Sequence, residues 1–526
     1  MAEQLEAVPD PGQTAGDYDL LPYPSMPMAH TQPARLAALA TLFGIPQPDA
    51  ERARVLELGC AAGGNIIPLA VRFPHASFTG IDLARRHIGD GNARVAKLGL
   101  ENVSLRRGDL TTLDLGGAQF DYVICHGVFS WVPKATQDAI FRLCERNLAP
   151  NGVATISYNV LPGWHLRMVI RDLCLRYAGT EGSPLQRASR ARAALEKIAA
   201  VSDGKDPYGL QLRTEAQRLK RVPASYILGE FLAPDNAPCS VKEFIGRTEA
   251  ANMDYLCEVD LFSAVPHTLD PSLRNRITSF DITNRADAEQ DIDFLTGRLF
   301  RRSVLVRRQA ADQRAPTPRA DCLKTLHVVS QVRLDASKST DALAVFTDDR
   351  GRPISTKHPA VRQALTRLER AYPATLPVED LAAAGEGDNG ARVRDVLYSM
   401  VLAGRAELSS IPVAVGRAED PRPRVTALAR LEAAEGQPWL TNQIHVGVPA
   451  HPLLRTLLPH LDGAHDQSAL RRQFATALRS GAIQVPEIPS DQPPPSAEQA
   501  ATLADRYIER TLQFLARHAL LEPCTD

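Results

Sequence analysis

The chain has 526 residues, of which 44% are hydrophobic and 23% are charged, and its formal net charge is −1. This length exceeds what one hydrophobic core usually organises, so we expect about two to four domains. The balanced charge gives no overall attraction to nucleic acid or to a membrane surface, and no apolar run reaches the roughly 20 residues that span a bilayer.

The N-terminal residues 1–16 are polar and acidic, without the basic and apolar regions of a secretory signal. Prolines keep residues 18–27 extended, and we predict that this arm is either a lid in which Tyr23 closes over a cofactor or a simple surface wrap. A helix is predicted over 34–43. Its leucines repeat on one face, so we expect it to pack on the sheet that follows.

Residues 54–65 have the pattern of a buried strand that runs into a glycine-rich turn and then a helix. Gly59 and Gly63 allow the backbone to turn tightly and to approach a ligand closely. Asn65 can cap the helix predicted over 66–73, whose free N–H groups favour negatively charged ligand groups. This turn is therefore the first candidate for a cofactor site.

Further strands alternate with helices after the turn. A strand over 77–82 ends in Asp82, about 20 residues beyond the glycines, where a dinucleotide-type site holds ribose hydroxyls. Strands separated by helices of this length indicate a doubly wound parallel sheet. The next elements are predicted as a helix over 84–98, a strand over 103–107 followed by Asp109, a strand over 120–125 followed by His126, a helix over 135–148 and a strand over 153–158.

The sheet pattern stops near residue 177 and returns after an inserted helical segment, residues 178–236. An inserted helical pair with an apolar face commonly makes a lid or a dimer contact, so a homodimer is one expectation. Two later strands complete a sheet of seven. The elements concerned are predicted as helices over 185–200, 208–221 and 241–252, and strands over 255–262 and 300–307.

Two segments with a similar order of elements, 320–415 and 422–526, complete the chain. Each is predicted to contain three helices, the third of which runs into a strand, as in winged-helix modules. The third helices carry few arginines, whereas DNA readout needs many cations on the phosphates. Docking of a partner or substrate is therefore favoured over nucleic-acid binding. The helices are predicted over 359–372, 377–384, 391–403, 453–461, 467–478 and 497–517.

The eight cysteines are scattered, without a Cys-x-x-Cys pair or a His/Cys cluster at the spacing of metal ligands. We therefore expect reduced thiols, a cytoplasmic location and no metal site.

The ordered set of strand ends resembles the class I S-adenosylmethionine (SAM)-dependent methyltransferases, here with a domain over 1–177 and 237–312. The resemblance implies that Glu57 holds the methionine amino group, that Asp82 holds the ribose and that Asp109 contacts the adenine. It also implies cofactor contacts from Tyr23, Gly59, Cys60, Ala61, Gly63, Asn65, Leu83, Leu110 and His126. Ala61 replaces a usual glycine and leaves a spacing that would also suit a nicotinamide dinucleotide. Glu57, Asp109 and the fourth-strand pattern favour SAM.

Four motifs narrow the resemblance to bacterial methyltransferases that carry a methyltransferase regulatory domain. This group includes lysine methyltransferases of outer-membrane proteins, and some of its members are dimers. The resemblance covers most of residues 17–306 and implies a protein lysine acceptor. The motifs are Tyr18-Asp-x-x-Pro-Tyr23, Glu57-Leu-Gly-Cys-Ala-Ala-Gly-Gly-Asn65, residues 120–133 and residues 157–165.

The methyl acceptor is expected beyond the carboxyl ends of strands four and five. These ends supply Tyr158, the best candidate for an acceptor channel, and His126, which is a general base, a group beside the adenosine or a histidine bonded to backbone. Trp164 and His165 are further catalytic candidates, although Trp164 also fits simple packing. A lysine acceptor has a pKa of about 10.4, so it must lose its proton before an in-line displacement.

Two classes of function stay open. The first is a methyltransferase that acts on a protein nitrogen, with a small molecule or natural product as the alternative acceptor. The second is a SAM-binding regulatory or scaffold protein with little catalysis. The presence of Glu57, Asp82 and Asp109 favours the enzyme.

Overall fold

The computed structural model describes residues 25–261, 284–311, 314–383, 388–488 and 494–524, so the predicted N-terminal lid and Tyr23 lie outside the described residues. The chain divides into two compact units. The first contains Met1–Ser25, Ile45–Ile67 and His75–Arg314, and the second contains Met26–Gly44, Pro68–Pro74 and Ala315–Asp526.

A seven-stranded sheet forms the centre of the first unit, with the strand order β3-β2-β1-β4-β5-β7-β6. Strands β1 to β5 run parallel, and β7 lies antiparallel between β5 and β6. The predicted doubly wound sheet is confirmed, including its two late strands. The strands are β1 (Arg54–Leu58), β2 (Ser77–Asp82), β3 (Val103–Arg107), β4 (Phe120–Cys125), β5 (Leu148–Asn159), β6 (Met253–Glu258) and β7 (Phe300–Arg307).

The central strands consist mainly of apolar residues, because helices cover both faces of a parallel sheet. Every residue of β4 is buried. On one face, Phe129, Phe141 and Phe244 pack into a common aromatic cluster beside Tyr158. The helices that accompany the strands are α3 (Arg85–Leu98), α4 (Lys134–Asn147), α9 (Val241–Ala250), α10 (Arg285–Thr296) and α11 (Arg308–Ala311). Helix α2 (Ile66–Arg72) follows β1 in the chain, and its residues from Pro68 onward are assigned to the second unit.

The inserted helices have a hydrophobic core of their own, which includes Ile170, Leu195, Leu219 and Phe231. Ile170 belongs to the helix before the predicted insertion, so this helical segment begins earlier than residue 178. The next helix starts with a capping box formed by Ser183 and Gln186. The four helices are α5 (Gly163–Ala178), α6 (Pro184–Val201), α7 (Pro207–Arg221) and α8 (Ala224–Phe231).

In its described residues, the first module of the second unit combines helices with two small sheets, ordered β12-β8-β13 and β11-β10-β9. Helix α1 (Pro33–Leu42) also belongs to this unit: Ser410 N donates to Ala34 O at 3.0 Å, and Arg35 pairs with Glu407 at 2.8 Å. The expectation that this helix packs on the central sheet is replaced by these contacts. The module's elements are β8 (His327–Val329), β9 (Arg333–Leu334), β10 (Ala344–Thr347), β11 (Pro353–Thr356), α12 (Pro359–Ala371), β12 (Leu376–Pro377), α13 (Val378–Ala382), α14 (Asp388–Leu402) and β13 (Glu407–Ser409).

The second module packs two long helices against each other through Phe474 and Leu512 among others. Its last predicted strand is reduced to a single bridge between Val425 and Leu521. The elements are α15 (Ala427–Ala434), β14 (Trp439–Thr441), β15 (Gly447–Pro449), α16 (Pro452–Leu457), α17 (Gln467–Arg479) and α18 (Ala497–Arg517). Within the described ranges of both units, no helix combines the length and apolar character needed to cross a bilayer.

Candidate cofactor and acceptor site

The glycine-rich turn after β1 is held by the end of β2. The N–H groups of Gly59 and Cys60 both donate to Ile81 O, and the N–H of Ala61 donates to Asp82 Oδ2 at 2.8 Å. Gly59 has φ +75°, and a Cβ added there would come within 2.2 Å of Val128 Cγ2. Gly63 has the same φ. These constraints fix the turn before any ligand binds.

Two of the predicted site residues show how closely this turn is packed. Ala61 has φ 47°, in the left-handed region that glycine normally occupies. Cys60 is buried, and burial raises the pKa of its thiol well above the ordinary value. The thiol is therefore a packing group. The N–H of Cys60 is already bonded to Ile81 O and its C=O accepts from Gly63 N, so the predicted cofactor contact of Cys60 stays a prediction.

Asp82 is anchored through both of its carboxylate oxygens. Besides the bond from Ala61, its Oδ1 accepts from Ala84 N at 2.9 Å, and His87 Nδ1 lies 3.5 Å from the same oxygen. His87, in the first turn of α3, was not predicted as part of the site. An imidazole just after an acid that ends a strand is the sequence signal that could have indicated it. Asp82 is thus a rigid carboxylate beside the glycine turn.

Glu57 is a buried carboxyl group, and one of its two oxygens has no partner in the described part of the chain. Its Oε1 accepts from Asn65 Nδ2 at 2.8 Å, whereas its Oε2 has no hydrogen-bond partner among the described residues. Burial raises the pKa of Glu57 to about 8, although the bond from Asn65 opposes this shift. A buried acceptor without a partner is costly, and an ammonium group on a ligand would satisfy it. The site therefore fits the amino group of a methionine-type cofactor.

Asp109 begins a tight turn beyond β3. Its Oδ1 accepts from Thr111 N at 2.9 Å and from Thr111 Oγ1 at 2.8 Å. Leu110 is buried next to it, and Leu83 is half-buried after β2. Both leucines follow strands at the same edge of the sheet as the glycine turn, and their contact with an adenine stays a prediction.

His126 follows β4 and meets an aromatic ring that the sequence did not point to. Its imidazole lies edge-on to Phe300, with ring centroids 6.0 Å apart. The pKa of His126 is lowered to about 4 by burial, with a further contribution from Arg302. Phe300 could have been found from topology, because the start of a strand antiparallel to β5 lies at the carboxyl edge of β5.

The other three catalytic candidates, Tyr158, Trp164 and His165, differ in burial and in the groups that they contact. Tyr158 lies in the core: its ring stacks on Phe244 at 4.0 Å, and its hydroxyl is 3.1 Å from Ser303 Oγ. The prediction that Tyr158 lines an acceptor channel is therefore wrong. Trp164 is buried against Trp131, which corresponds to packing under a loop. His165 is exposed at the start of α5.

A buried ionic cluster surrounds Arg301, the residue that follows Phe300 on β7. The guanidinium of Arg301 pairs with Glu258 at 3.1 Å, Glu289 at 3.0 Å and Asp293 at 2.8 Å, and all four side chains are buried. Ser303 Oγ donates to Glu258 at 2.7 Å. Because these residues belong to β6, β7 and α10, the cluster ties that helix to the sheet.

Three family models match the chain in order. They are described as "Methyltransferase domain" over residues 55–152, "Predicted methyltransferase regulatory domain" over 223–307 and "PKMT, C-terminal winged helix domain" over 421–520.

The uncharacterized protein RP789 of Rickettsia prowazekii is 31% identical over 484 residues, which are 89% of this chain and 87% of that protein. A second protein of that organism, RP028, is 33% identical over 44% of this chain and 93% of its own length. The structure of PKMT2 from Rickettsia typhi in complex with AdoHcy has a similar fold, with a TM-score of 0.84 and 23% identity, covering 95% of this chain and 100% of that one.

The sheet order, the braced glycine turn and the methyltransferase match define a SAM-dependent methyltransferase of class I. Within that class, the chain belongs to the family that joins a methyltransferase domain to a methyltransferase regulatory domain and a PKMT-type C-terminal winged helix. The predictions of the class, of SAM as cofactor and of a C-terminal winged helix are confirmed.

Proposed function

We propose that this methyltransferase modifies the side-chain nitrogen of a lysine in a protein. The observation that carries the proposal is the domain series, in which a PKMT winged helix at 421–520 follows the methyltransferase and regulatory domains. PKMT denotes protein lysine methyltransferase, and the fold of PKMT2 from Rickettsia typhi extends over 95% of this chain.

The proposed cofactor contacts follow from the site. Glu57 offers its unused oxygen to the amino group of the methionine part, Asp82 faces the ribose and Asp109 lies on the adenine side. When bound, SAM supplies a methyl group activated on a sulfonium. The glycine-rich turn should need little reorganisation on binding, because hydrogen bonds to the end of β2 already hold its shape.

The proposed acceptor position lies beside His126 and Phe300. Phe300 is 40% exposed, and an aromatic face tolerates a lysine ammonium as it enters. A histidine with a pKa of about 4 is a far weaker base than a lysine amine, so His126 does not hold the lysine proton. The acceptor loses its proton to water as it leaves bulk solvent, and neutral His126 adds no charge to oppose the approach of the amine.

The test is methyl transfer from tritiated SAM into a lysate of the source cells, separated into protein and small-molecule fractions. We expect label on discrete protein bands, with the modified lysine located by mass spectrometry. Asp82→Ala should abolish the label, whereas Asp90→Ala, an exposed carboxylate on α3, should not. Label confined to the small-molecule fraction would replace the lysine proposal with a small-molecule acceptor. SAM binding without label in either fraction would favour a regulatory protein.

We also propose that the chain forms a homodimer through α5. Leu166, Val169 and Tyr177 lie on one side of this helix at helical spacing, and they are 61%, 43% and 48% exposed. An exposed apolar stripe of this kind is typical of a protein contact. All eight cysteines are unbonded, which supports a cytoplasmic location that cell fractionation can test.

A further inference from the structure

A groove of about 330 Å³ opens beyond the carboxyl end of β5, and the catalytic candidate His165 is one of its lining residues. It is lined by the segment that enters α5, by the start of α9 and by α10. Backbone bonds fix these walls: Leu161 N donates to Cys239 O at 3.1 Å, and Gly163 N donates to Arg298 O at 3.2 Å. A Cβ on Gly163 would come within 2.3 Å of Arg298 O, so the segments are in direct contact. The groove is therefore a built feature.

The groove lies on the acceptor side of the sheet. Its wall residue Leu161 follows β5, and His126 follows the neighbouring strand β4. Val160 N donates to Leu299 O at 3.1 Å, which places Phe300 next to the same wall. Since adjacent strands are about 4.8 Å apart, the groove begins roughly one to two strand spacings from the proposed acceptor position. One extended polypeptide can reach both places.

The chemistry of the groove selects a neutral ligand with an apolar side chain. Leu161, Pro162 and Phe294 form apolar walls, and Phe294 is 64% exposed. Among the described residues, the polar part of the lining includes His165 and Lys242, and the ammonium group of Lys242 is paired with Asp287 at 2.6 Å. This ion pair offsets the charge of Lys242 toward a phosphate or a carboxylate. The volume is at the lower limit of ligand pockets, which suits a fragment such as one residue of a chain.

Gln290 supplies the polar contact. It lies one helical turn before Phe294 on α10, it is 9% exposed, and its Oε1 is buried with no hydrogen-bond partner in the part of the chain that the structure describes. Leaving such an acceptor unpaired is unfavourable. An amide side chain pairs with a peptide unit through both its C=O and its NH₂ group. A backbone amide entering the groove would therefore satisfy Gln290.

We propose that this groove is a specificity subsite that binds one large apolar residue flanking the methylated lysine, with Gln290 accepting the peptide N–H. Phe294 then packs against the side chain of that residue. This inference rests on the proposed protein-lysine activity and adds the sequence preference of its substrate. Gln290 and Phe294 are positioning residues, because they act on the flanking residue and not on the reacting nitrogen.

The test uses the full chain, SAM and lysine peptides in which each flanking position is varied in turn. We expect a preference for large apolar residues at one position. Phe294→Ala and the near-isosteric Gln290→Leu should each lower kcat/KM on preferred peptides about tenfold, mainly through KM. Peptides with alanine at that position should respond little. Tyr208→Ala, which removes another exposed aromatic ring, is the control.

The outcomes separate the inference from the function on which it rests. If wild-type protein methylates peptides with no flanking preference, or if the preference survives both substitutions, the subsite is wrong and the lysine activity stands. If wild-type protein labels no peptide and no protein in lysate, both fail. If free apolar amides compete with SAM-dependent labelling but flanking residues have no effect, the groove binds a small molecule instead.

Discussion

Asp82 accepts a hydrogen bond at 2.8 Å from the backbone N–H of Ala61, an L-residue that adopts the left-handed conformation usual for glycine. The two residues are 21 positions apart, so the end of β2 determines the shape of the turn after β1. The side chain that the family resemblance assigns to the ribose thus also shapes the turn assigned to the methionine end. Changes at either residue are expected to affect both parts of the cofactor site.

Replacing Ala61 with glycine is expected to stabilise the protein. An L-residue in the left-handed region costs about 1–2 kcal/mol, which Ala61→Gly would remove. The greater freedom of glycine in the unfolded chain lowers stability by roughly 0.5–1 kcal/mol and so offsets part of this gain. The free energy of unfolding should therefore rise by about 0.5–1 kcal/mol with an unchanged m value in urea. Ala62→Gly, at a neighbouring position without positive φ, should lower it. An Ala61→Gly variant less stable than Ala62→Gly would contradict the strain argument.

The raised pKa of Glu57 predicts that cofactor binding depends on pH. Because its pKa in the free chain is about 8, the carboxyl is protonated at neutral pH and must ionise to pair with the ligand's ammonium. Binding below about pH 8 therefore releases a proton, and affinity should increase up to about tenfold per pH unit toward that value. Above it, the ligand's own amine loses its charge and affinity should fall.

Isothermal titration calorimetry of AdoHcy in buffers of different ionisation enthalpy measures this proton release directly. Glu57→Gln should bind more weakly and release no proton at this site. Proton uptake by the wild-type protein near pH 7, or an unchanged proton count in the variant, would show that Glu57 is not the linked group.

His126 predicts a different pH effect, on stability. Its folded-state pKa of about 4 lies below the ordinary value of 6.5, so the unfolded chain binds the proton first. The stabilising contribution is present above about pH 6.5 and is lost as pH falls toward 4. His126→Gln should therefore show a shallower decline in the free energy of unfolding over this range. His75→Gln, an exposed histidine, should follow the wild-type curve. A decline equal to that of wild type in His126→Gln would remove this assignment.

Arg301 predicts a large loss of stability on substitution. Removing the guanidinium leaves Glu258, Glu289 and Asp293 buried without their cation, a change that costs about 3–5 kcal/mol. Arg319→Leu, which breaks an exposed pair with Asp321, should lower the free energy of unfolding far less than Arg301→Leu. Thermal denaturation of Arg301→Leu and of this control measures both. Equal shifts in Tm would mean that the cluster contributes little.

The sequence predicted the central sheet closely because its strands end at strong signals. β2, β3, β4 and β7 have the predicted bounds, and glycine, aspartate or histidine marks most of their ends. The acids Asp82 and Asp109, proposed for the cofactor site, stand at or just after the ends of two of these strands. Weaker elements were missed: α8 lies among prolines, and the short hairpin of β14 and β15 has little apolar alternation.

Tyr158 shows why the acceptor site was harder to predict. Side chains of a strand alternate between two faces, and in a doubly wound sheet helices cover both. The strand pattern therefore does not say which helix the ring will meet. The partner is Phe244 on α9, which reaches Tyr158 only after the helical insertion returns the chain to the sheet. The neighbours of the His126 imidazole were equally hard to predict. Its ring contacts Phe300, which is more than 170 residues away along the sequence.

The exposed stripe on α5 predicts that association can be abolished without unfolding. Leu166→Glu places a charge in the centre of the proposed contact, where burial would require costly desolvation, so the variant should be monomeric by light scattering. Its far-UV circular dichroism and its affinity for AdoHcy should stay those of the wild type, since Leu166 is 61% exposed and lies outside the cofactor residues. Leu210→Glu, at a residue 60% exposed on α7, is the matched control and should leave the mass unchanged. A wild-type mass equal to one chain would refute the dimer, and loss of association in Leu210→Glu alone would move the contact to α7.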